Sequence, residues 1–212
     1  MTVQPISATE AIAASLRERI FDGRIVPGER LPELELATSF GVARPTVRAA
    51  IQALCHEGLL QRGRNRSAVV PALTREDVLD LFSVRIPLEC LIVRKVLERN
   101  VSLDGVREAI EPLAALTVSS PWSSVVEADL NFHRALARAT GSPRLEKVYM
   151  SLGGEIRLCI AQLRPAWPSA AALADEHRAV LDVIEAGDVE ASVRRMTEHL
   201  DRAVRDLSRL PR

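Results

Sequence analysis

The sequence contains few lysines, aromatic residues, cysteines and histidines, and these shortages exclude several kinds of protein. Lys95 and Lys147 are the only lysines, so arginine supplies nearly all of the positive charge. Aromatic residues make up 3% of the chain and hydrophobic residues 47%, so Leu, Val, Ile and Ala must form the core, which favours helices. The three cysteines have no paired spacing, which is typical of a reducing compartment and not of a disulfide framework.

The chain also lacks net charge, a signal-like N-terminus and any long apolar run. With 28 basic and 28 acidic residues the formal net charge is zero, so any affinity for nucleic acid must come from local asymmetry. The sequence does not open on a basic-then-apolar pattern, and no apolar run approaches the length that spans a bilayer. We therefore expect a soluble, cytoplasmic protein with no membrane partner.

A shift in composition near residue 72 predicts two domains, 1–71 and 72–212. Before the shift, three short helices are followed by two strands, at 59–61 and 68–70, and this order predicts a winged helix-turn-helix. After the shift, about six amphipathic helices predict an all-α bundle, so the expected fold class is mainly α. The predicted helices span 9–22, 34–40, 45–57, 74–99, 102–118, 122–140, 143–164, 168–186 and 188–209.

Arginines are concentrated where a recognition helix would begin. Arg44, Thr46 and Arg48 lie in the first turn of the third predicted helix, where backbone N–H groups also favour phosphate. Between residues 44 and 66 there are five arginines and one acidic residue, Glu57. A solvated basic surface would show the same excess, but its place in a predicted winged helix favours DNA binding.

Three of the four histidines lie at inward positions on helices of the second domain. His133 follows Asp129 by one turn on the apolar face of 122–140, His177 lies in the middle of another apolar stripe, and His199 borders a third. A single buried histidine is usually a hydrogen-bonded core residue. Three imidazoles and a carboxylate, however, form a ligand set suited to Zn²⁺, with Ni²⁺ or Mn²⁺ as alternatives. The pattern therefore predicts a divalent metal site.

Arg85 is another charged residue on an apolar helix stripe. A buried guanidinium needs an anion, and the sequence offers two candidates. Glu89, four residues later, would form an internal salt bridge. The carboxylate of a bound effector is the other candidate, because a planar guanidinium can hold it through two hydrogen bonds.

Two stretches of the first domain carry a family resemblance. Residues 20–37, IFDGRIVPGERLPELELA, and 41–60, GVARPTVRAAIQALCHEGLL, resemble the DNA-binding domain of GntR-family transcription regulators. Ala43 in place of a serine N-cap, Leu34 in place of an arginine and Ser67 in place of a wing glycine depart from the family pattern and leave the operator sequence unpredicted. The resemblance implies a homodimer on pseudo-palindromic double-stranded operator DNA. It places five residues near the DNA: Arg44, Thr46, Arg48, Asn65 and Arg66.

Residues 74–209 resemble the FCD ligand-binding domain of the FadR subfamily, and the six-helix count is closer to its VanR-like branch. Metal-binding members use an Asp-x-x-x-His pair and two later histidines as ligands. The resemblance therefore implies a metal site formed by Asp129, His133, His177 and His199. It also implies that Arg85 contacts the effector.

These observations predict a ligand-responsive transcription regulator, a repressor, whose helical domain binds a divalent metal and a small organic acid. One alternative is a metal-dependent hydrolase that uses the three-histidine, one-aspartate site to activate water. Against it, no HExxH-type general base lies near the site, and catalysis leaves residues 1–71 without a purpose. The other alternative is a DNA-binding regulator in which the metal is purely structural.

Overall fold

Capping and turn residues set the limits of the elements in the N-terminal unit. The Ser7 hydroxyl accepts a hydrogen bond from the Glu10 backbone N–H at the start of the first helix. Gly41 ends the second helix with φ at 65°, in the left-handed region. Ala43 precedes the third helix without a side-chain cap, and Pro45 lies in its first turn. The elements are α1 (Ala8–Phe21), β1 (Arg30–Leu31), α2 (Glu33–Phe40), α3 (Arg44–His56), β2 (Gln61–Arg62) and β3 (Ala68–Val69).

The computed structural model describes residues 7–63, 67–162 and 169–207, with side chains up to residue 205. Within it the chain divides into two compact units, Met1–Ala72 and Leu73–Arg212. Aliphatic side chains form most of the core of each unit, as the shortage of aromatic residues predicts. None of the described helices is long and apolar enough to cross a lipid bilayer.

The three strands form one antiparallel sheet in the order β1, β3, β2. Arg30 and Gln61 both pair with Val69, so β3 is central. The predicted first strand at 59–61 is displaced to Gln61–Arg62. The reason is that the backbone N–H groups of Leu59 and Leu60 both donate to the Leu54 carbonyl at the end of α3. β1 was not predicted, because two residues are too short to show alternation.

The C-terminal unit is a helical bundle, and the mainly α fold class is confirmed. Its first helix begins at a capping box, in which the Thr74 hydroxyl and the Asp77 carboxylate each accept a backbone hydrogen bond from the other residue. The described helices are α4 (Arg75–Arg99), α5 (Asp104–Glu108), α6 (Glu111–Ala114), α7 (Trp122–Ala139), α8 (Pro143–Ser151), α9 (Gly153–Gln162), α10 (Ala170–Glu185) and α11 (Val189–Leu207).

Two of the six helices predicted for this unit are each divided into two. The predicted helix 102–118 appears as α5 and α6, because Pro112 has no N–H to continue the hydrogen bonding of α5. The predicted helix 143–164 appears as α8 and α9, with the break before Gly153-Gly154, where helix propensity is lowest. Residues 163–168, at the boundary of two predicted helices, lie outside the described part of the chain.

Candidate metal centre and DNA-binding surface

Helix packing in the C-terminal unit gathers the predicted metal ligands in one buried place. α7 packs against α4 and α10, and α11 packs against the same two helices. α7 supplies Asp129 and His133 on one face, α10 supplies His177, and α11 supplies His199. Each of the four residues is at most 5% exposed. The helical spacing that suggested the site from sequence therefore places all four side chains in the interior.

The ligand atoms of these side chains lie at distances that suit a single ion. The Nε2 atoms of His133 and His199 are 3.4 Å apart. Asp129 Oδ1 lies 3.3 Å from His177 Nε2, and one nitrogen from each of the three histidines lies within 4.8 Å of the others. Ligand atoms bound tetrahedrally at about 2.1 Å from a metal lie about 3.4 Å apart. The three histidines therefore fit a Zn²⁺-sized ion, and Asp129 adjoins them through its contact with His177.

Two histidines have a carboxylate behind the ring. Glu89 Oε2 lies 2.5 Å from His133 Nδ1, and Glu176 Oε2 lies 3.9 Å from His199 Nδ1. A carboxylate at Nδ1 favours the tautomer whose Nε2 lone pair points away from it. Both Nε2 atoms are thereby directed toward the centre of the cluster.

His177 is held by packing and not by hydrogen bonds. Its ring stacks on Phe132, with centroids 4.3 Å apart and planes 19° apart. Neither ring nitrogen has a hydrogen-bond partner among the described residues. The 3.3 Å approach to Asp129 Oδ1 is thus an electrostatic contact without hydrogen-bond geometry. A buried nitrogen without a hydrogen bond is costly, and a bound cation would satisfy it.

The electrostatics of the cluster favour the protonation states that bind metals. Burial lowers the pKa of His177, and it lowers the pKa of His199 to about 4, although nearby carboxylates oppose the change. Burial by itself would raise the pKa of Asp129, but the close approach of His177 and the nearby Arg85 guanidinium more than offset it and lower that pKa. Neutral His177 and His199 imidazoles beside an ionised carboxylate are the forms that coordinate a cation.

Arg85 is 3% exposed and its Nε donates a 2.7 Å hydrogen bond to Glu89 Oε1. The internal salt bridge anticipated from the sequence is therefore present. Because the other Glu89 oxygen faces His133, one carboxylate joins the guanidinium to the histidine cluster. No described residue accepts a hydrogen bond from the two terminal nitrogens of Arg85, so these remain able to bind a second anion.

Sequence reasoning missed Tyr149, the single tyrosine of the chain. Its hydroxyl is fully buried on α8 and has no hydrogen-bond partner in the described structure. Burial raises its pKa well above the ordinary value, and the charges of Glu89 and Arg85 also act on it. The phenol is therefore a neutral donor close to the cluster. At the sequence level it was one apolar position among many on a predicted helix.

In the N-terminal unit, three of the five predicted DNA-contacting residues lie on the first two turns of α3. Arg44 and Arg48 are exposed and Thr46 is half-buried. Sequence reasoning missed the acid beside them, because Arg48 Nε and Nη2 both donate to Glu33 at the start of α2. Asn65 and Arg66, the predicted wing contacts, lie outside the described residues.

Comparison with known proteins decides the family. Residues 8–70 match the bacterial regulatory proteins of the gntR family, and residues 80–202 match the FCD domain. The chain belongs to the GntR family. GntR proteins with an FCD domain are DNA-binding transcription regulators and not enzymes, so the hydrolase alternative is removed and the family prediction is confirmed.

Similar proteins match this chain over most of their own length. The HTH-type regulator YdhC of Bacillus subtilis (strain 168) is 26% identical, covering 88% of this chain and 84% of that protein. The gluconate operon repressor of the same organism is 24% identical over 90% of this chain and 81% of its own. The crystal structure of a GntR transcriptional regulator from Rhodococcus sp. RHA1 is 29% identical, with a TM-score of 0.81 over 96% of this chain and 99% of that chain.

Proposed function

We propose that this GntR regulator is a homodimeric repressor that binds a divalent metal and a small organic acid in its FCD domain. Asp129, His133, His177 and His199 would hold the metal, with Zn²⁺ favoured and Ni²⁺ or Mn²⁺ as alternatives. The observation that carries the proposal is the convergence of three buried imidazoles, with the Asp129 carboxylate beside His177. Two of the imidazoles, His133 and His199, also have an acid near Nδ1. Histidine nitrogens and a carboxylate oxygen are ligands that these metals share.

The proposed effector contacts follow from the polar groups left beside this cluster. The terminal nitrogens of Arg85 can hold a carboxylate through two hydrogen bonds while Nε stays on Glu89. The Tyr149 hydroxyl can donate one more hydrogen bond. Two relatives, from 24% to 25% identical, are named for the gluconate and L-lactate dehydrogenase operons, and gluconate and lactate are both hydroxycarboxylates. This supports a small carboxylate as the effector class.

The direct test of the metal site is elemental analysis of the full-length protein after purification without affinity tags or chelators. We expect about one transition-metal ion per chain, and Zn²⁺ rather than Mn²⁺ when these two metals are supplied in equal amounts. Repeating the DNA-binding assay after chelation separates a structural metal from one that takes part in regulation. Metal-free protein that has no affinity for added Zn²⁺ at pH 7.5 would refute the metal site.

The role proposed for Arg85 predicts a selective loss of effector binding. Arg85→Lys keeps the charge beside Glu89 but removes the planar fork. The probe is the carboxylate that raises the melting temperature of the wild-type protein most in a thermal-shift panel. Metal content should stay unchanged, while affinity for this probe should fall about 10- to 100-fold, which corresponds to about 1.4 to 2.8 kcal/mol. Arg94→Lys, an exposed arginine on the same helix, is the matched control. Equal affinity of Arg85→Lys and wild type for this probe would show that Arg85 pairs with Glu89 and does not contact the effector.

The DNA surface predicts weaker binding when either exposed arginine of α3 is removed. Arg44→Ala or Arg48→Ala should lower affinity for a duplex selected from a random pool by about 5- to 150-fold if the arginine reads a base. If the arginine holds a phosphate, the slope of the logarithm of affinity against the logarithm of salt concentration should instead fall in magnitude by about one. Arg24→Ala is the control, because Arg24 is a similarly exposed arginine that lies outside α3. Unchanged affinity and slope in both variants would place the DNA surface elsewhere.

The proposed dimer has a candidate contact on α4. Val84, Pro87, Leu88 and Leu91 recur at helical spacing on one face, and Val84 and Leu91 are 49% and 44% exposed. We expect the full-length protein to sediment as a dimer at micromolar concentration and Leu91→Glu to sediment as a monomer. Leu79→Glu changes an equally exposed leucine at another angle around α4 and should remain dimeric. A dimer in both variants would remove this helix face from the interface.

A further inference from the structure

One acidic side chain holds the arginines of the DNA surface together. Glu33, the first residue of α2, accepts hydrogen bonds from Arg48 Nε at 3.0 Å and Arg48 Nη2 at 2.9 Å. Arg62 Nη1 lies 3.4 Å from its other oxygen, and Arg44 Nη2 lies 3.8 Å away. The three arginines come from two different elements, the start of α3 and the strand β2. Glu33 is thus the common acidic partner of these three basic side chains.

The Glu33 side chain is more buried than the arginines around it. Its side chain is 12% exposed, whereas those of Arg44, Arg48 and Arg62 are 55%, 50% and 39% exposed. The hydrogen bond from Arg48, which opposes the effect of partial burial, lowers the pKa of Glu33, so the carboxylate is ionised. The N-terminal end of α2 also favours a negative charge at this position. A phosphate group that approaches from solvent therefore meets the arginines first.

We infer that Glu33 is a positioning residue for DNA recognition, which orients Arg48 and restrains the surrounding arginines from binding phosphates indiscriminately. The inference rests on the assignment of Arg48 to the DNA surface. With Nε and Nη2 on Glu33, the Arg48 guanidinium keeps one plane and presents its remaining edge outward. An oriented fork loses less freedom when it binds a base edge.

The charge of Glu33 acts in the opposite direction on DNA of arbitrary sequence. Non-specific affinity comes from phosphate contacts and increases with the local positive charge. A carboxylate within 4 Å of three arginines cancels part of that charge. Glu33 should therefore weaken the phosphate contacts made with any duplex, while its hold on Arg48 strengthens only the contact with the right sequence. The hold on Arg48 thus sets the gap between the two affinities.

Glu33→Gln tests the inference in the full-length protein, because glutamine has the same shape and no charge. The wild-type protein is first used to select a binding duplex from a random pool, and a scrambled duplex serves as non-specific DNA. We expect affinity for the scrambled duplex to rise several-fold, with a steeper salt dependence, and the selected-to-scrambled affinity ratio to fall about tenfold or more.

Glu35→Gln is the matched control. Glu35 lies on the same helix, is exposed, and makes no described contact with these arginines, so the variant removes an equal charge without touching Arg48. Glu33→Asp retracts the carboxylate but keeps its charge, and its affinity ratio should lie between those of Glu33→Gln and wild type. If Glu33→Gln does not fold, the affinity ratio of Glu33→Asp tests the inference in its place.

A double-mutant cycle with Arg48→Ala shows whether Glu33 acts through Arg48. In the Arg48→Ala background, Glu33→Gln should still raise affinity for both duplexes through Arg44 and Arg62, but it should leave the affinity ratio within about twofold, because the side chain it orients is gone. The inference is overturned if Glu33→Gln preserves the wild-type ratio, if Glu35→Gln lowers the ratio equally, or if Glu33→Gln lowers the ratio as much without Arg48 as with it. A loss of DNA binding in Arg48→Ala alone supports the underlying assignment independently of Glu33.

Discussion

Glu89→Ala should destabilise the C-terminal unit by about 3–5 kcal/mol, the usual cost of removing one partner from a buried ion pair. Glu89 is 1% exposed and accepts from Arg85 Nε while its other oxygen faces His133 Nδ1. Burial by itself would raise its pKa, but the neighbouring His133 and Arg85 side chains more than offset this and lower the pKa to about 2. The alanine variant leaves the buried Arg85 charge without its counter-ion.

Urea unfolding of the metal-free protein at pH 7, followed by tryptophan fluorescence, measures this loss. Both tryptophans lie beyond residue 72, so the signal reports on the C-terminal unit. Glu98→Ala is the control on the same helix, because Glu98 forms an exposed pair with Lys95 and should contribute little. If the two variants lose equal stability, the buried network does not hold the bundle together.

Metal removal should lower the stability of the same unit by about 4 kcal/mol relative to protein in a thousandfold excess of the ion over its Kd. The proposed ligands come from α7, α10 and α11, so one ion would tie three helices together. Metal binding to a site that the unfolded chain lacks contributes directly to folding free energy. Thermal melting with and without chelator, followed by addition of Zn²⁺, measures the difference.

His177→Ala should abolish this dependence on metal. The variant removes the imidazole that has no hydrogen bond, so its melting temperature should be the same with chelator and with added Zn²⁺. His56→Ala is the matched control, because His56 is an exposed histidine at the end of α3. Persistence of a Zn²⁺-dependent melting temperature in His177→Ala would place the metal elsewhere.

Features with a local period could be read from the sequence. Asp129 and His133 are one turn apart on α7, and His177 and His199 fall on apolar stripes of their own helices, so helical periodicity places all four side chains inward. The winged helix-turn-helix was recognisable for a related reason, because its turns are marked by glycine and proline. Helical periodicity did not reveal the break at Pro112, because apolar residues recur on both sides of this proline and a single helix was predicted to run through it.

Features that depend on partners distant in sequence could not be read in this way. Glu33 meets arginines 11, 15 and 29 residues later, and nothing in its own surroundings distinguishes it from Glu35. Glu176 lies beside His177 in sequence, yet its carboxylate lies near His199 and Arg202 of the next helix. Such pairings are decided by how helices and strands pack, and packing is not encoded in the period of a single helix.

The pairing of β1 with β3 has an entropic consequence for DNA binding. β1 ends at Leu31, two residues before Glu33, and its partner β3 is also the partner of β2, which carries Arg62. The strands next to these residues are therefore paired when the unit folds, and the conformational cost of arranging them does not recur at each encounter with DNA. The strand-borne and helix-borne arginines would then meet a duplex as parts of one rigid body, which favours rapid sampling of sequences over slow adjustment at each site.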